Sequence, residues 1–341
     1  MRKPLARFQK GLSLVELMIA ITLGLILTAG VLQLFLSNNQ TFRTQQATSR
    51  VQESGRLAAE FLASDIRMAG FTGFRGRLSA VQNKVIAAGY QNKYENGIEF
   101  ISAANAATLA PIANTNVLIL RGAIDGVGAP LLKAAEAGKF TVSLLSEKAD
   151  SCSAAGASTS YNGLCIGEAA YIADYQKTFV FSVSGLNKLN ATTLEVSYVG
   201  SWGGNNIDPD EYFVEGAVVS PAREVVYFIR NGMSGRPSLF QKVNSEAAVE
   251  LLEGVSDIAL FYNRDATKNV YVTALDQLGG LWNNQTNPIV SVRLELVVQS
   301  IADNVLEDEQ TYTLGAADVV AADKRLYKVF STTVALRNQL P

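Results

Sequence analysis

The stretch "KGLSLVELMIAITLGLILTAGVLQLFL", Lys10 to Leu36, decides the architecture of this chain. From Leu12 to Leu36 it carries a single charge, Glu16. As a helix rising about 1.5 Å per residue, this segment reaches roughly 37 Å, enough to cross a hydrocarbon core of about 30 Å. Arg2, Lys3, Arg7 and Lys10 all precede it, so the positive-inside rule puts Met1 to Lys10 in the cytoplasm and the chain after Ser37 outside it. A carboxylate within such a span costs about 2.5 to 3.5 kcal/mol at mid-membrane, so Glu16 calls for a reason. One reading has it snorkelling to the nearby interface.

A cleaved secretory signal is the rival for the whole segment, because the leader is basic and "TAG", Thr28 to Gly30, offers small residues. Two features oppose it. The chain stays apolar beyond that site through Val31, Leu32, Leu34, Phe35 and Leu36, and Glu16 would damage the hydrophobic region such signals depend on.

Composition narrows the function classes. The chain has 341 residues, 48% hydrophobic and 18% charged, which suits globular structure alongside the apolar span. Formal charge is −2, and loss of the basic leader takes it to −6, which leaves no electrostatic footprint for nucleic acid. The absence of histidine removes Ser-His and Cys-His nucleophile pairs, His-Glu zinc sites and the commonest neutral-pH base. Neither a P-loop nor a G-x-G-x-x-G turn is present, and "GVGAP", Gly126 to Pro130, is a turn signal only. Cys152 and Cys165 lie in "SCSAAGASTSYNGLCIG" among small and turn-forming residues. Outside the cytoplasm they are expected to form a disulfide that adds roughly 3 kcal/mol in the chain-entropy model; in the cytoplasm they would stay two thiols.

After the span, "SNNQTFRTQQATSR", Ser37 to Arg50, is polar but free of Pro and Gly, so the helix can continue. Ala58, Phe61, Leu62, Ile66 and Ala69 then recur at helical spacing, with Glu60 and Asp65 between them. That face needs a partner. Gly55 is expected to loosen the helix, and Gly70, Gly73 and Gly76 to end it, giving one rod from Leu12 to Ala69.

From Gly70 to Pro341 the pattern is of strands. "TNVLILRG", "KFTVSLL", "KTFVFSVSGL", "TTLEVSYVG" and "IVSVRLELVVQS" are β-branched and aromatic runs bounded by turn residues, and "REVVYFIRNGMSGRPSLFQKV" reads as two strands across a Gly-rich turn. In "IVSVRLELVVQS", Val290, Val292, Leu294, Leu296 and Val298 alternate with Ser291, Arg293 and Glu295, which predicts one buried face. The fold class is therefore α+β: a long N-terminal helix against a β-rich domain, with two packed sheets expected on the rod. "IDPDEY", Ile207 to Tyr212, reads as an exposed acidic turn, and Trp202 and Trp282 as loop anchors.

"KGLSLVELMIA", Lys10 to Ala20, resembles the processing site of type IV prepilins and type II secretion pseudopilins. The resemblance implies a leader of residues 1–11 ending in Gly11, cleavage by a prepilin peptidase before Leu12, methylation of the Leu12 amino group, and Glu16 at the fifth mature position. It also implies a role for the carboxylate: the new ammonium of Leu12 lies one turn before Glu16, and pairing between subunits would set axial register. Leu12 replaces the phenylalanine most common there, and no proline falls between Pro4 and Pro111, where many major pilins kink.

"LLEGVSDIALFYN", Leu251 to Asn263, with "NPIVSVRLELVVQS", "KVFSTTVALRNQLP" and "SGRLAAEFLASDIRMAGFTG", Ser54 to Gly73, resembles the PilW family of minor type IV pilins. About Arg75 to Tyr227 the likeness is loose. The resemblance implies a pilin-like fold and a non-enzymatic subunit of the inner membrane, with its C-terminal domain in the periplasm and later at the pilus tip. Its implied partners are other minor pilins, the major pilin, a large tip adhesin and the assembly platform. Twitching motility, adhesion and DNA uptake would follow. Many such sequences carry an Asp/Gly-rich turn suited to calcium; here "NRDATKNVYV", Asn263 to Val272, holds only Asp265, so neither metal nor cofactor is expected. A J-type pseudopilin of type II secretion is the alternative within the superfamily. A membrane-anchored periplasmic module that binds or hydrolyses glycans is the alternative outside it.

Overall fold

A computed structural model describes residues 13–73, 82–84, 94, 96–124, 126–149, 152, 159–200, 202, 212–265, 267–268, 270–273 and 289–336. Its first element is the helix α1, Leu14–Met68, unbroken through Gly24, Gly30 and Gly55. Ser13 caps its start, its hydroxyl accepting from Glu16 N, and Gly70 at φ 74° leads the chain away after Ala69. The rod expected from Leu12 to Ala69 is thus seen over the described part.

Strands follow in order: β1 Gln82–Asn83, β2 Ile98–Ser102, then a short 3-10 segment Ala103–Leu109, and β3 Asn116–Ala123. Next come β4 Ala129–Pro130, β5 Lys139–Ser143, β6 Glu147–Lys148, β7 Ser160–Tyr161, β8 Ala169–Ala173, β9 Thr178–Lys188 and β10 Thr193–Tyr198. The last group is β11 Val218–Asn231, β12 Pro237–Val243, β13 Val249–Glu253, β14 Val255–Asn263, β15 Ser291–Gln299, β16 Thr311–Leu314, β17 Ala317–Val320 and β18 Tyr327–Ala335. Each of the quoted β-branched runs forms a strand, and the "NGMSGR" turn joins β11 to β12.

Two main sheets result. The larger runs β13-β12-β11-β8-β9-β10-β5, with β3 and β4 also on β11, β2 on β3, and β1 alongside β9. The smaller, antiparallel one is β14-β15-β18. Between them lies a core to which the helix gives Val51, Ala58, Leu62, Ile66 and Ala69. The large sheet supplies Ile98, Leu118, Leu120, Val225 and Tyr227, and the small one Ile258, Leu260, Leu294, Leu296 and Val334. At about 25 cal/mol per Å² of apolar surface removed from water, this is where the helix gains its attachment.

The structure corrects three expectations. Phe61 is not on the buried face; it is 47% exposed, while Ala47, Val51 and Gly55 extend that face down the helix. Gly55 does not loosen the helix but lets Phe330 of β18 lie against it, because a Cβ there would overlap the ring. In β15 the alternation holds at Val292, Leu294, Leu296 and Val298, yet Glu295, Val297 and Gln299 on the other face are buried too. The β16–β17 hairpin crosses that face, where Gly315 N donates to Glu295 Oε2 at 2.6 Å.

Candidate assembly site

The helix is two structures in one. Residues 14–39 are exposed throughout, forming a stalk about 39 Å long at about 1.5 Å per residue. Among the described residues this is the one helix long and apolar enough to cross a membrane. Its two threonines are already satisfied: Thr22 Oγ1 donates to Met18 O and Thr28 Oγ1 to Gly24 O, each at 2.7 Å. Neither threonine hydroxyl is therefore left for lipid to desolvate. Ala20, Gly24 and Thr28 recur every four residues, and nothing lies within 4 Å of where a Gly24 Cβ would stand. Such a face lets a second helix approach closely. Glu16 sits in the first turn, where its backbone N–H is held by Ser13 and its carboxylate faces outward for a partner from elsewhere. Gly11 and Leu12 lie outside the described residues.

From Gln40 the helix meets the domain. Gln40 Nε2 and Thr44 Oγ1 both donate to Val305 O, at 2.7 and 3.3 Å, which ties the foot of the domain to the point where the stalk begins. Near the other end Asp65 forms a polar latch: its carboxylate accepts from Tyr227 Oη at 2.8 Å and pairs with Arg223 Nη1 at 3.3 Å, while Gln241 Nε2 donates to Tyr227 Oη at 2.7 Å. Burial first, and then the Asp65 charge, push the Tyr227 hydroxyl well above its ordinary range, so it stays a donor. Past the helix end, Gly70 N donates to Arg121 O and Ala123 N to Phe71 O, stitching the chain onto β3. Gly122 allows this: a Cβ there would meet Phe71 O at 3.0 Å.

The latch was not legible as such in the sequence, where Asp65 reads as one of the polar residues between apolar ones. Its signal is positional, since it falls among Leu62, Ile66 and Ala69 rather than opposite them. Arg121 was missed as well. It is 4% exposed and pairs at 2.6 Å with Glu224, its register partner on β11, and at 2.9 Å with Glu99, which stands opposite Ile119 and so reaches it diagonally from β2. Two carboxylates on one guanidinium keep that buried cation compensated.

The remaining candidates behave as follows. Cys152 and Cys165 are joined by a disulfide, Cα atoms 5.6 Å apart. Trp202 anchors an aromatic cluster, with its ring 4.2 Å from Tyr198 and 5.7 Å from Phe140, while Trp282 lies outside the described residues. Of the acidic turn only Tyr212 is described. Asp265 is spent on its own turn: its Oδ1 accepts from Thr267 N at 2.9 Å and its Oδ2 pairs with Lys268 at 3.2 Å, so both oxygens are engaged where a metal would need them. No group of three metal-ligating side chains occurs among the described residues.

Residues 6–32 match the prokaryotic N-terminal methylation motif, and residues 226–338 match the family described as type IV pilus-assembly protein W. No curated protein and no solved structure matches the chain. One match thus falls on the stalk and the other on β11 to β18, the strands that grip the helix above it. Together with the long apolar helix seated on a β-rich domain, they support a PilW-type minor pilin of the type IV pilus.

Proposed function

We propose that this minor pilin primes pilus assembly and stays at or near the tip, with other minor pilins and a large tip adhesin as its neighbours. The observation that carries the proposal is the stalk: residues 14–36 are exposed and predominantly apolar, yet belong to one unbroken helix with the residues that hold the domain. In the inner membrane that surface is covered by lipid, with the domain in the periplasm. In a filament it is covered by the helices of neighbouring subunits. Nothing in the fold has to rearrange for the exchange.

The leader ends at Gly11, the peptidase cuts before Leu12, and the new amino group is methylated. Glu16 is then offset by a cation, the amino terminus of its own chain or that of a neighbour. Pairing with a neighbour fixes axial register, because a shift of one subunit leaves a carboxylate unpaired in an apolar medium. The domain supplies lateral contacts and no chemistry of its own. Motility, adhesion and DNA uptake follow from the pilus it helps to start.

The test is the amount of surface pili sheared from a strain lacking the gene, with complementation. A large loss restored by the gene is expected. Normal pili with a changed profile of exported proteins would move the assignment to a secretion pseudopilin, and hydrolysis of a glycan by the purified chain would move it to an enzyme.

A further inference from the structure

The small sheet has one finished edge and one open edge. Just outside the two ends of β18, Ser300 N donates to Leu326 O and Leu336 N to Val290 O. With the unbroken register from Tyr327 to Ala335, these bonds put the even-numbered residues of β18 on β15. The N–H and C=O of the odd-numbered residues therefore point the other way. At Tyr327 a side chain takes both: Tyr327 N donates to Gln310 Oε1 and Gln310 Nε2 donates to Tyr327 O, each at 2.8 Å. That amide makes the two bonds a neighbouring strand would make. Beyond it, the main-chain groups of Val329, Ser331, Thr333 and Ala335 have no partner among the described residues.

Other edges are closed or blunted. On β14, the opposite edge of the same sheet, Asn116 Nδ2 donates to Ile258 O, and Tyr262 exchanges N–H and C=O bonds with Val272. Leu131 and Leu132 cover β5. β13 is five residues long, carries Glu250 and Glu253, and pairs through a register shift. Such devices keep sheet edges from recruiting other chains. β18 runs for nine residues with no proline, no bulge and a single charge, Lys328. Ser331, Thr333 and Ala335 along it are small and exposed. An open row of alternating donors and acceptors is the complement of another extended backbone.

The direction of β18 selects the occupant. Leu306 N donates to Lys324 O, next to Val305, which Gln40 and Thr44 hold at the base of the domain. Phe330, six residues further along, lies on Gly55. β18 thus climbs with the helix, away from the stalk. Antiparallel pairing is the more stable kind. Between two copies of this chain it would point their stalks in opposite directions, which subunits of one membrane or one filament cannot do.

We infer that β18 is a strand-addition site, which takes an extended segment of a non-identical protein on the main-chain groups of Val329, Ser331, Thr333 and Ala335. That segment alternates apolar with small polar residues, because one of its faces continues that of Phe330 and Val334 and the other that of Ser331 and Thr333. The inference rests on the pilus-subunit reading given above, in which the occupant is a neighbour in the assembly.

The experiment uses the full chain in piliated cells. Ser331→Pro deletes an outward N–H, Thr332→Pro deletes one that serves the ladder to Leu294, and Thr333→Lys places a charge on the exposed edge. A photocrosslinking phenylalanine analogue at Thr333 identifies the occupant by mass spectrometry. Ser331→Pro and Thr333→Lys should lose their leader and accumulate in the membrane like wild type, yet fall at least tenfold in sheared filaments. Thr332→Pro should fail to accumulate. The expected adduct is to one peptide of a different polypeptide, and it is lost in the Ser331→Pro background. Adducts to a second copy of this chain, wild-type incorporation of Ser331→Pro and Thr333→Lys, or a Ser331→Pro chain that accumulates no better than Thr332→Pro would each overturn the inference. A wild type that enters filaments but gives no adduct at Thr333 would sink strand addition alone, whereas a wild type absent from filaments would sink the pilus reading.

Discussion

Glu16 is an exposed charge in the first turn of the stalk. The described helix satisfies its N–H through Ser13, but the carboxylate faces the surroundings of the stalk. Glu16→Ala should therefore leave leader removal intact and cut incorporation into sheared filaments by at least tenfold. Normal incorporation of that variant would sink the register argument. Gly11→Ser should act one step earlier, leaving the full leader visible by intact mass. Asp65 works the opposite way, with its partners inside the molecule. Asp65→Ala strands the buried Tyr227 hydroxyl and should cost about 1 to 3 kcal/mol in the thermal stability of the purified full chain, with Asp65→Asn recovering part of it. Asp257 predicts a pH effect. Burial pushes its carboxyl up to about 6 from 3.8, against the smaller pull of the Ile258 N–H it accepts. The folded form thus prefers the protonated acid: this contribution to stability is complete below about 3.8 and is lost as pH rises through about 6. Asp257→Asn should be more stable than wild type at pH 7.5 by about 1 to 3 kcal/mol, and equal to it near pH 4. Equal stability at both would show that the carboxyl is not held in this way.

At the scale of elements, the helix and the strands were read from periodicity, and the reasons for the misreadings are specific. Helical spacing located Ala58, Leu62 and Ile66 correctly, but spacing alone cannot tell Phe61 from a core residue, because its position is only one step round the helix from Leu62. Gly55 was read by propensity, as a weak point, when the determinant was a ring from β18 nearly three hundred residues away in sequence. Gly55→Leu should raise helix propensity by about 1 kcal/mol yet lower stability overall, since overpacking costs about 1 to 3 kcal/mol. A higher melting temperature would show that Phe330 moves aside freely. The second face of β15 was illegible for a similar reason. The hairpin that buries Glu295 comes later in the chain, and alternation in one strand carries no record of it. The central strand of the small sheet, β15, by contrast, was legible from its own period of two.

At the scale of the whole molecule, the prepilin-like start and the PilW-like end were legible because both depend on local pattern. The middle was not, because its strands are placed by pairing across long separations, as where Ala123 stands opposite Ala222. What emerges is a chain of three parts: an exposed apolar stalk, a module whose two sheets clasp the upper helix, and an aromatic-centred core built between Ala129 and Val219. The central claim is that the stalk remains attached and serves both settings. The measurement that tests it most directly is the intact mass of this subunit recovered from sheared filaments. The account predicts a chain beginning at Leu12 with a methylated amino group, present in the filament fraction. A chain that keeps its leader, begins after Gly30, or stays wholly in the inner membrane while filaments form normally would contradict it.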